Sequence, residues 1–474
     1  MSHLKYPVFL FILILIASAL SGAEQKLKKI VVSKDGGRLE TADGKPFIPW
    51  GINYFRPETG WAPKIWRMFD PETTRKDFQL IKKMGGNCVR VFLTYNEFLT
   101  SPDKVNESGL KKLDEFLKIA EETGIYVHPT GPDHWEGLPE WARGDRICDD
   151  KVLRALEFFW QTIAQRYKGR NVLLAYDLLN EPSVPWNSPQ LIQKWKDWVG
   201  IKYGDFKKAG EVWGVDISTV TNSFIPPRDL KGSKWLKDFQ EFREEIAVNW
   251  VRRQAAAIKR ADSRALVTVG LIQWSIPLFI SNPSMYAAFR PSKISPYLDF
   301  MEIHFYPLAG GAYTYQNEEA ELRNLAYGEA LVSEMHRCNK PVVLAEFGWY
   351  GGGTLPGSKA PAATEQQQAR WCENLVQTTS GWVCGWIHWG LYDHPTATDV
   401  TRSIGLFKSS GEIKEWGRAF ERIGKGISTG EIKISNPSYY AKPFPWEEAV
   451  VDPSAANAYF KEYYLQFKSS KGKK

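Results

Sequence analysis

The sequence predicts an α/β protein built as an eight-stranded (β/α)8 TIM barrel, and three observations lead there. Eight short apolar runs recur along the chain: Phe47 to Gly51, Asn87 to Leu93, Ile125 to Pro129, Leu173 to Asn180, Ala265 to Leu271, Phe300 to Tyr306, Pro341 to Phe347 and Gly385 to Trp389. Stretches of helical period separate them, with Leu110, Leu113, Leu117 and Ala120 on one face and Val152, Leu156, Phe159 and Ile163 on another. The 474 residues, 43% of them apolar, suffice for one large barrel unit. Nearly continuous apolar strands are what a parallel sheet buried on both faces requires.

The elements follow in chain order. Met1 to Ala23 reads as a cleaved signal peptide, because Lys5 precedes the apolar run Val8 to Ile16 and Ser21-Gly22-Ala23 supplies small residues for cleavage. That run is shorter than the roughly 20 residues of a membrane span, so the expectation is a secreted or periplasmic protein without stable membrane insertion after signal cleavage. The barrel is assigned to residues 24–425. A hairpin opens it, with Ile30-Val31-Val32 and Arg38-Leu39-Glu40 around the turn Asp35-Gly36-Gly37, in a position to plug the barrel floor. Residues 183–236 form an insertion after the fourth strand, rich in Trp and Lys and punctuated by Pro226-Pro227, and are read as a wall or lid of the functional cleft. Residues 426–474 have many aromatics but no strand rhythm, and are expected to pack on the barrel as an extension.

Composition excludes several function classes. The net charge of +7 is scattered apart from the tail Lys468 to Lys474, which reads as a solvated, frayed end, and no nucleic-acid partner is expected. Five cysteines (Cys88, Cys148, Cys338, Cys372, Cys384) are too few for a disulfide framework, leaving at most an incidental bridge or two. The chain has no HExxH, CxxC pair, P-loop or GxGxxG, so neither a cofactor nor a metal is expected. The 20 tryptophans point the other way: Trp61, Trp66, Trp135, Trp141, Trp186 and Trp349 fall in predicted loops, where aromatic faces can stack on sugar rings or serve packing.

A barrel carries its chemistry at the C-terminal ends of its strands. The fourth strand ends Asn180-Glu181-Pro182, where Pro182 biases Glu181 towards extended backbone, and the seventh ends Ala345-Glu346-Phe347-Gly348. Two carboxylates facing each other across the mouth are what glycoside hydrolysis needs, one protonating the leaving oxygen and one attacking the anomeric carbon. Arg90, a cation inside the second strand, calls for a facing carboxylate, which it would hold ionised. His304 and Tyr306 share a face by the two-residue period, and Tyr306 can donate to Glu346. Trp389 ends the eighth strand, where a sugar platform would belong; Asn53 and Tyr54 after the first strand are further cleft candidates.

Asn180-Glu181-Pro182, Arg90, His304-x-Tyr306, Glu346-Phe347-Gly348 and Trp389, in that arrangement from about Phe47 to Phe420, resemble glycoside hydrolase family 5 of clan A. The resemblance implies Glu181 as acid/base, Glu346 as nucleophile and Asn180 as partner of the sugar 2-hydroxyl. Arg90, His304 and Tyr306 would support the carboxylates, and Trp389 would form the platform. Family members often carry a histidine near the end of the third strand. Here either His128 or His134 could serve, with His134 favoured and Trp135 lining the cleft.

The expected reaction is a retaining double displacement, with the carboxyls about 5 to 5.5 Å apart. The expected partner is a β-linked polysaccharide or oligosaccharide, with a lean to endo attack on β-1,4-mannan. A β-1,4-glucanase, an exo-β-mannosidase or β-glucosidase, and a non-catalytic carbohydrate-binding barrel stay open as alternatives.

Overall fold

Strands that are apolar on both faces must be covered on both, and closing the sheet achieves this without leaving an edge. In the computed structural model, which describes residues 26–62, 64–133, 137–220, 224–308, 313–432 and 442–471, the eight predicted runs do close. Numbered along the chain, the strands are β1 (Ile30–Val32), β2 (Leu39–Thr41), β3 (Trp50–Asn53), β4 (Cys88–Thr94), β5 (Leu99–Ser101), β6 (Lys104–Val105), β7 (Tyr126–Asp133), β8 (Tyr176–Asn180), β9 (Val267–Leu271), β10 (Met301–Phe305), β11 (Val342–Phe347) and β12 (Gly385–Trp389). The barrel runs β3-β4-β7-β8-β9-β10-β11-β12 and back to β3, all parallel. The predicted signal segment lies outside the described residues.

Helices cover the outer face. Those at Pro71–Lys83, Glu107–Thr123, Asp150–Arg166, Lys234–Ala261, Glu318–His336, Glu365–Thr379 and Glu415–Thr429 alternate with the strands, while the link from β9 to β10 has one α-helical turn, Pro291–Ile294, and three short 3-10 turns. Their starts are legible in the sequence: Asp70 accepts from Thr73 N with Pro71 in the first turn, and Thr364 and Gln367 make a reciprocal cap.

The hairpin β1–β2 closes the barrel's N-terminal end. Ile30 and Leu39 are fully buried in one cluster with the inward residues Cys88, Tyr126, Val343 and Ile387. Burying them there removes apolar surface from water and seals the floor beneath the polar interior.

The insertion departs from expectation. It forms helices Pro189–Tyr203 and Phe206–Trp213, and its predicted end falls inside the helix Lys234–Ala261. Its tryptophans pack on one another: Trp195 stacks on Trp198 at 5.2 Å and on Trp213 at 5.8 Å, and Trp213 stacks on Trp235 at 5.9 Å. Trp213 also donates to Asp238 at 2.7 Å. These rings join the main core against the long helix, and among the described residues of the insertion those lining the cleft beside Glu181 fall between Ser183 and Gln190.

The C-terminal residues form helices Trp446–Ala449 and Pro453–Lys471 against Glu318–His336, burying Phe460 and Phe467. Trp446 donates to Glu334 at 2.7 Å and Tyr463 to Glu329 at 2.9 Å. The tail read as frayed is helical through Lys471, with Lys468 paired to Glu319 at 2.7 Å. All five cysteines are free, so the incidental bridge does not form. Among the described residues, no helix is long and apolar enough to cross a membrane.

Candidate active site

An arginine inside a sheet needs partners for every donor, and Arg90 of β4 has them. Its Nη1 donates to Glu346 Oε1 at 2.7 Å and Asn53 Oδ1 at 2.8 Å; its Nη2 donates to Asp177 Oδ2 at 2.7 Å and Asn180 Oδ1 at 2.9 Å, and its Nε also donates to Asp177 Oδ2, at 3.1 Å. The residue is fully buried, so these contacts replace its hydration.

Simple alternation would not bring all those partners inward. In β11, Ile303 pairs with Leu344 but His304 pairs with Glu346, so Ala345 is an extra residue and Glu346 turns to the interior. In β8, Asp177 pairs with Thr268 and Asn180 with Gly270, three residues against two, so Asp177 and Asn180 both face Arg90. A one-residue bulge thus aims each functional strand end. Glu181, the next residue, has φ of +48°, in the left-handed region, and its N–H donates to Gly270 O at 2.8 Å. Pro182 therefore does not hold Glu181 extended. The turn stores backbone strain where the carboxyl is presented.

The two carboxyls meet over His304. His304 Nδ1 is 3.0 Å from Glu181 Oε1 and 3.5 Å from Glu346 Oε1, and one oxygen of each glutamate and this nitrogen all lie within 4.8 Å of one another. Tyr306 donates to Glu346 Oε2 at 3.0 Å, and its own N–H is held by Gln273 at 3.0 Å. Burial lifts the Glu181 carboxyl to about 7, against the pull of Arg90. Burial also raises Glu346, opposed by His304, Arg90 and the Tyr306 hydroxyl. His304 is pushed down to about 4 by burial, with Arg90 adding to the effect, so it is neutral at neutral pH.

The cleft beside Glu181 is about 660 Å³ and is lined by Gly144 to Ile147 and by Pro182, Ser183, Asn187 and Gln190, with no aromatic ring among these residues. Among the described residues, two groups have ligand atoms close enough for a metal, Glu181–His304–Glu346 and His128–Asp177–Glu302. The Arg90 guanidinium already lies against a carboxylate of each and supplies the positive charge a cation would bring.

The model of the family "Cellulase (glycosyl hydrolase family 5)" matches residues 41–393. This chain belongs to glycosyl hydrolase family 5. The family is one of retaining, clan A glycoside hydrolases. Endoglucanase A of Clostridium longisporum is 27% identical over 127 residues, which are 26% of this chain and 22% of that protein. The match therefore spans about a fifth of that relative's length. A GH5_18 variant from Streptomyces cattleya, solved in complex with Manb1-4GlcNAc, superposes with a TM-score of 0.64 at 18% identity, covering 90% of this chain and 92% of that one. The exo-beta-1,4-mannosidase Op5Man5 from Opitutaceae bacterium strain TAV5 gives 0.59 at 19% identity, covering 84% and 63%.

Within this family 5 barrel, Arg90, Asn180, Glu181, His304, Tyr306 and Glu346 converge as the sequence suggested. Trp389 ends β12 beside Asn53, braced by Phe55, Trp61 and Phe92, with its indole N–H on Thr401 at 3.0 Å. Three expectations need correction. Asn53 is fully buried and holds Arg90 instead of lining the cleft. Tyr54, one residue on, points outward by alternation and donates to Asp77 at 2.9 Å among Phe78 and Phe116. His128 is buried beneath the site with both ring nitrogens engaged, so it cannot line the mouth; His134 and Trp135 lie outside the described residues. Of the loop tryptophans, Trp66 and Trp186 are packing residues whose indoles bond Phe92 O and Pro226 O, and Trp349 is buried. Trp61 leans on Trp389, at 5.9 Å.

Two residues of the site were missed. Asp177 is an acid inside an apolar run, the same signal that singled out Arg90. Gly270 has a subtler role: a Cβ there would stand 2.9 Å from Arg90 Nη2, 2.9 Å from His304 Nε2 and 3.0 Å from Asp177 Oδ2. Its bare backbone also donates to Asp177 Oδ1 at 2.8 Å.

Proposed function

We propose that the chain hydrolyses terminal β-mannosidic bonds of short oligosaccharides by double displacement, with Glu346 as nucleophile and Glu181 as acid/base. The observation that carries the chemistry is the convergence of Glu181, His304 and Glu346 within 4.8 Å, closer than the roughly 6.5–9.5 Å that leaves room for an inverting water. Both Glu346 oxygens take donors that favour its anion, Arg90 and Tyr306, while Glu181, raised to about 7, keeps its proton. Glu346 attacks the anomeric carbon as Glu181 gives its proton to the departing oxygen. Once Glu346 is an ester its charge is gone, Glu181 becomes more acidic, and it takes a proton from the incoming water.

Asn180 offers its carbonyl to Arg90, leaving the amide NH2 as the donor end for a sugar hydroxyl. Trp389, only 6% exposed, forms the platform. The substrate reading is supported by the Manb1-4GlcNAc bound to the Streptomyces cattleya structure and by the mannosidase name of the Opitutaceae one. The exo prefix of that mannosidase name moves the reading from endo to exo attack. The leader read at Met1 to Ala23 supports action outside the cytoplasm.

Product analysis on β-1,4-mannobiose, Manβ1-4GlcNAc, mannan, cellulose and aryl β-glycosides tests both parts. Mannose released from the disaccharides and the aryl mannoside, with no ladder from mannan, is the expected result. A ladder from mannan or cellulose would overturn the exo-mannoside reading and leave the two-carboxylate chemistry standing. Full activity in Glu346→Gln would remove that chemistry as well.

A further inference from the structure

Beneath the two carboxyls, on the same inward face, lies a second acid that the mechanism does not use. Glu302 precedes His304 by two residues on β10, and His128 on β7 pairs in register with Arg90. Both side chains have no solvent exposure. His128 Nε2 is 2.7 Å from Glu302 Oε1, and His128 Nδ1 is 3.0 Å from the carbonyl of Ala175.

These distances fix the number of protons. A carbonyl oxygen only accepts, so Nδ1 carries a hydrogen. At 2.7 Å, two bare lone pairs would repel, so one further proton lies between Nε2 and Oε1. Whichever atom holds it, imidazolium with carboxylate or imidazole with carboxylic acid, the pair is neutral as a unit. Glu302 Oε2 is buried with no hydrogen-bond partner among the described residues, so the His128 contact is what holds this carboxyl.

The surroundings make that neutrality matter. Facing the pair are Arg90 and Cys88 from β4, Asp177 from β8, His304 from β10 and Cys384 just before β12, with Glu346 of β11 against Arg90 and His304. An oxygen of Asp177, an oxygen of Glu302 and a ring nitrogen of His128 lie within 4.8 Å of one another. Arg90 is the permanent cation of this interior and already serves Asp177 and Glu346. A bare Glu302 would set three carboxylates on one guanidinium and repel the ionised form of each.

We propose that His128 and Glu302 are a positioning pair that stores one proton in the barrel floor, so that the charge of Arg90 is left for Asp177 and Glu346. The inference rests on the roles given above to Glu181 and Glu346. Its sense agrees with His128 being held above the ordinary imidazole range: burial opposes protonation, and the charge and hydrogen bond of Glu302 outweigh it.

The experiment is the pH dependence of kcat/KM on an aryl β-glycoside, with thermal denaturation alongside, for Glu302→Gln, His128→Gln and the double variant. Glu302→Gln keeps the floor neutral and should leave both limbs in place. In His128→Gln the new amide can still donate to Glu302 Oε1 but holds no proton to share, so Glu302 competes for Arg90 as an anion and the acidic limb, ionisation of Glu346, should move upward by about half a unit or more. Removing Glu302 as well should return the limb to the wild-type position. Limbs that stay put in His128→Gln, or a shift that survives in the double variant, overturn the proposal, as does a lowered melting temperature with no shift. If His128→Gln does not fold, nitrogen-15 spectra of the wild-type imidazoles decide: a His128 that titrates between pH 5 and 9 overturns the stored proton. That readout does not depend on catalysis, so it stands apart from any failure of Glu181 or Glu346 to act as assigned.

Discussion

Arg90 Nη1 stands 2.7 Å from Glu346 Oε1, in a guanidinium with no exposed surface and every edge engaged. The contact couples stability to chemistry, because the same cation neutralises Asp177 and orients the nucleophile. Removing it strands two buried acids. Arg90→Leu should cost about 3–5 kcal/mol, read by chemical denaturation, with activity lost in whatever folds. Arg90→Lys should recover part of the stability and little of the activity, since an ammonium cannot bond Glu346, Asp177, Asn53 and Asn180 in one plane.

The two glutamates should fail differently. Glu346→Gln should abolish turnover on every glycoside, the nucleophile being absent. Glu181→Gln should lower turnover by about 10²–10⁴-fold for alkyl or sugar leaving groups and far less for a nitrophenolate, which departs without a proton. Steady-state rates on a leaving-group series check this. An equal loss across the series in Glu181→Gln would refute the acid role.

Much of this was legible in the chain. Eight apolar runs gave the strands, and the spacing of His304 and Tyr306 put both on one face, because the two-residue period holds through β10. The same period fails at the carboxylates. Counting by twos from the inward Ala345 sends Glu346 outward, and from Asp177 it sends Asn180 outward; the bulges in β11 and β8 reverse both. A bulge is set by how neighbouring strands register, which no local run of residues encodes. The insertion misled for a related reason: tryptophan suits a sugar face and a helix interface equally, and Trp195, Trp198 and Trp213 found one another first.

Gly270 offers a test of packing without touching a charge. A methyl group there would meet Arg90, His304 and Asp177 at 3.0 Å or less, and all three are held by other bonds. Gly270→Ala should therefore displace the guanidinium, destabilise the fold by about 1–3 kcal/mol and reduce kcat/KM by at least tenfold. Wild-type kcat/KM in a folded Gly270→Ala protein would show that the interior can give way.

The pH profile follows from Glu181. Its carboxyl, raised to about 7 by burial, must be protonated to donate, so kcat/KM for a sugar leaving group should fall as pH rises through about 7, tenfold per unit beyond it. The sign is fixed by the role: for a general acid the active form is the one that dominates below its pKa. The limb should vanish in Glu181→Gln, where the lower rate no longer depends on that proton. His304 cannot produce the limb, since burial keeps it down at about 4 and it is neutral on both sides of 7. A profile flat from pH 6 to 9 in the wild type would mean that Glu181 ionises at its ordinary carboxylate value and that another group carries the proton to the leaving oxygen.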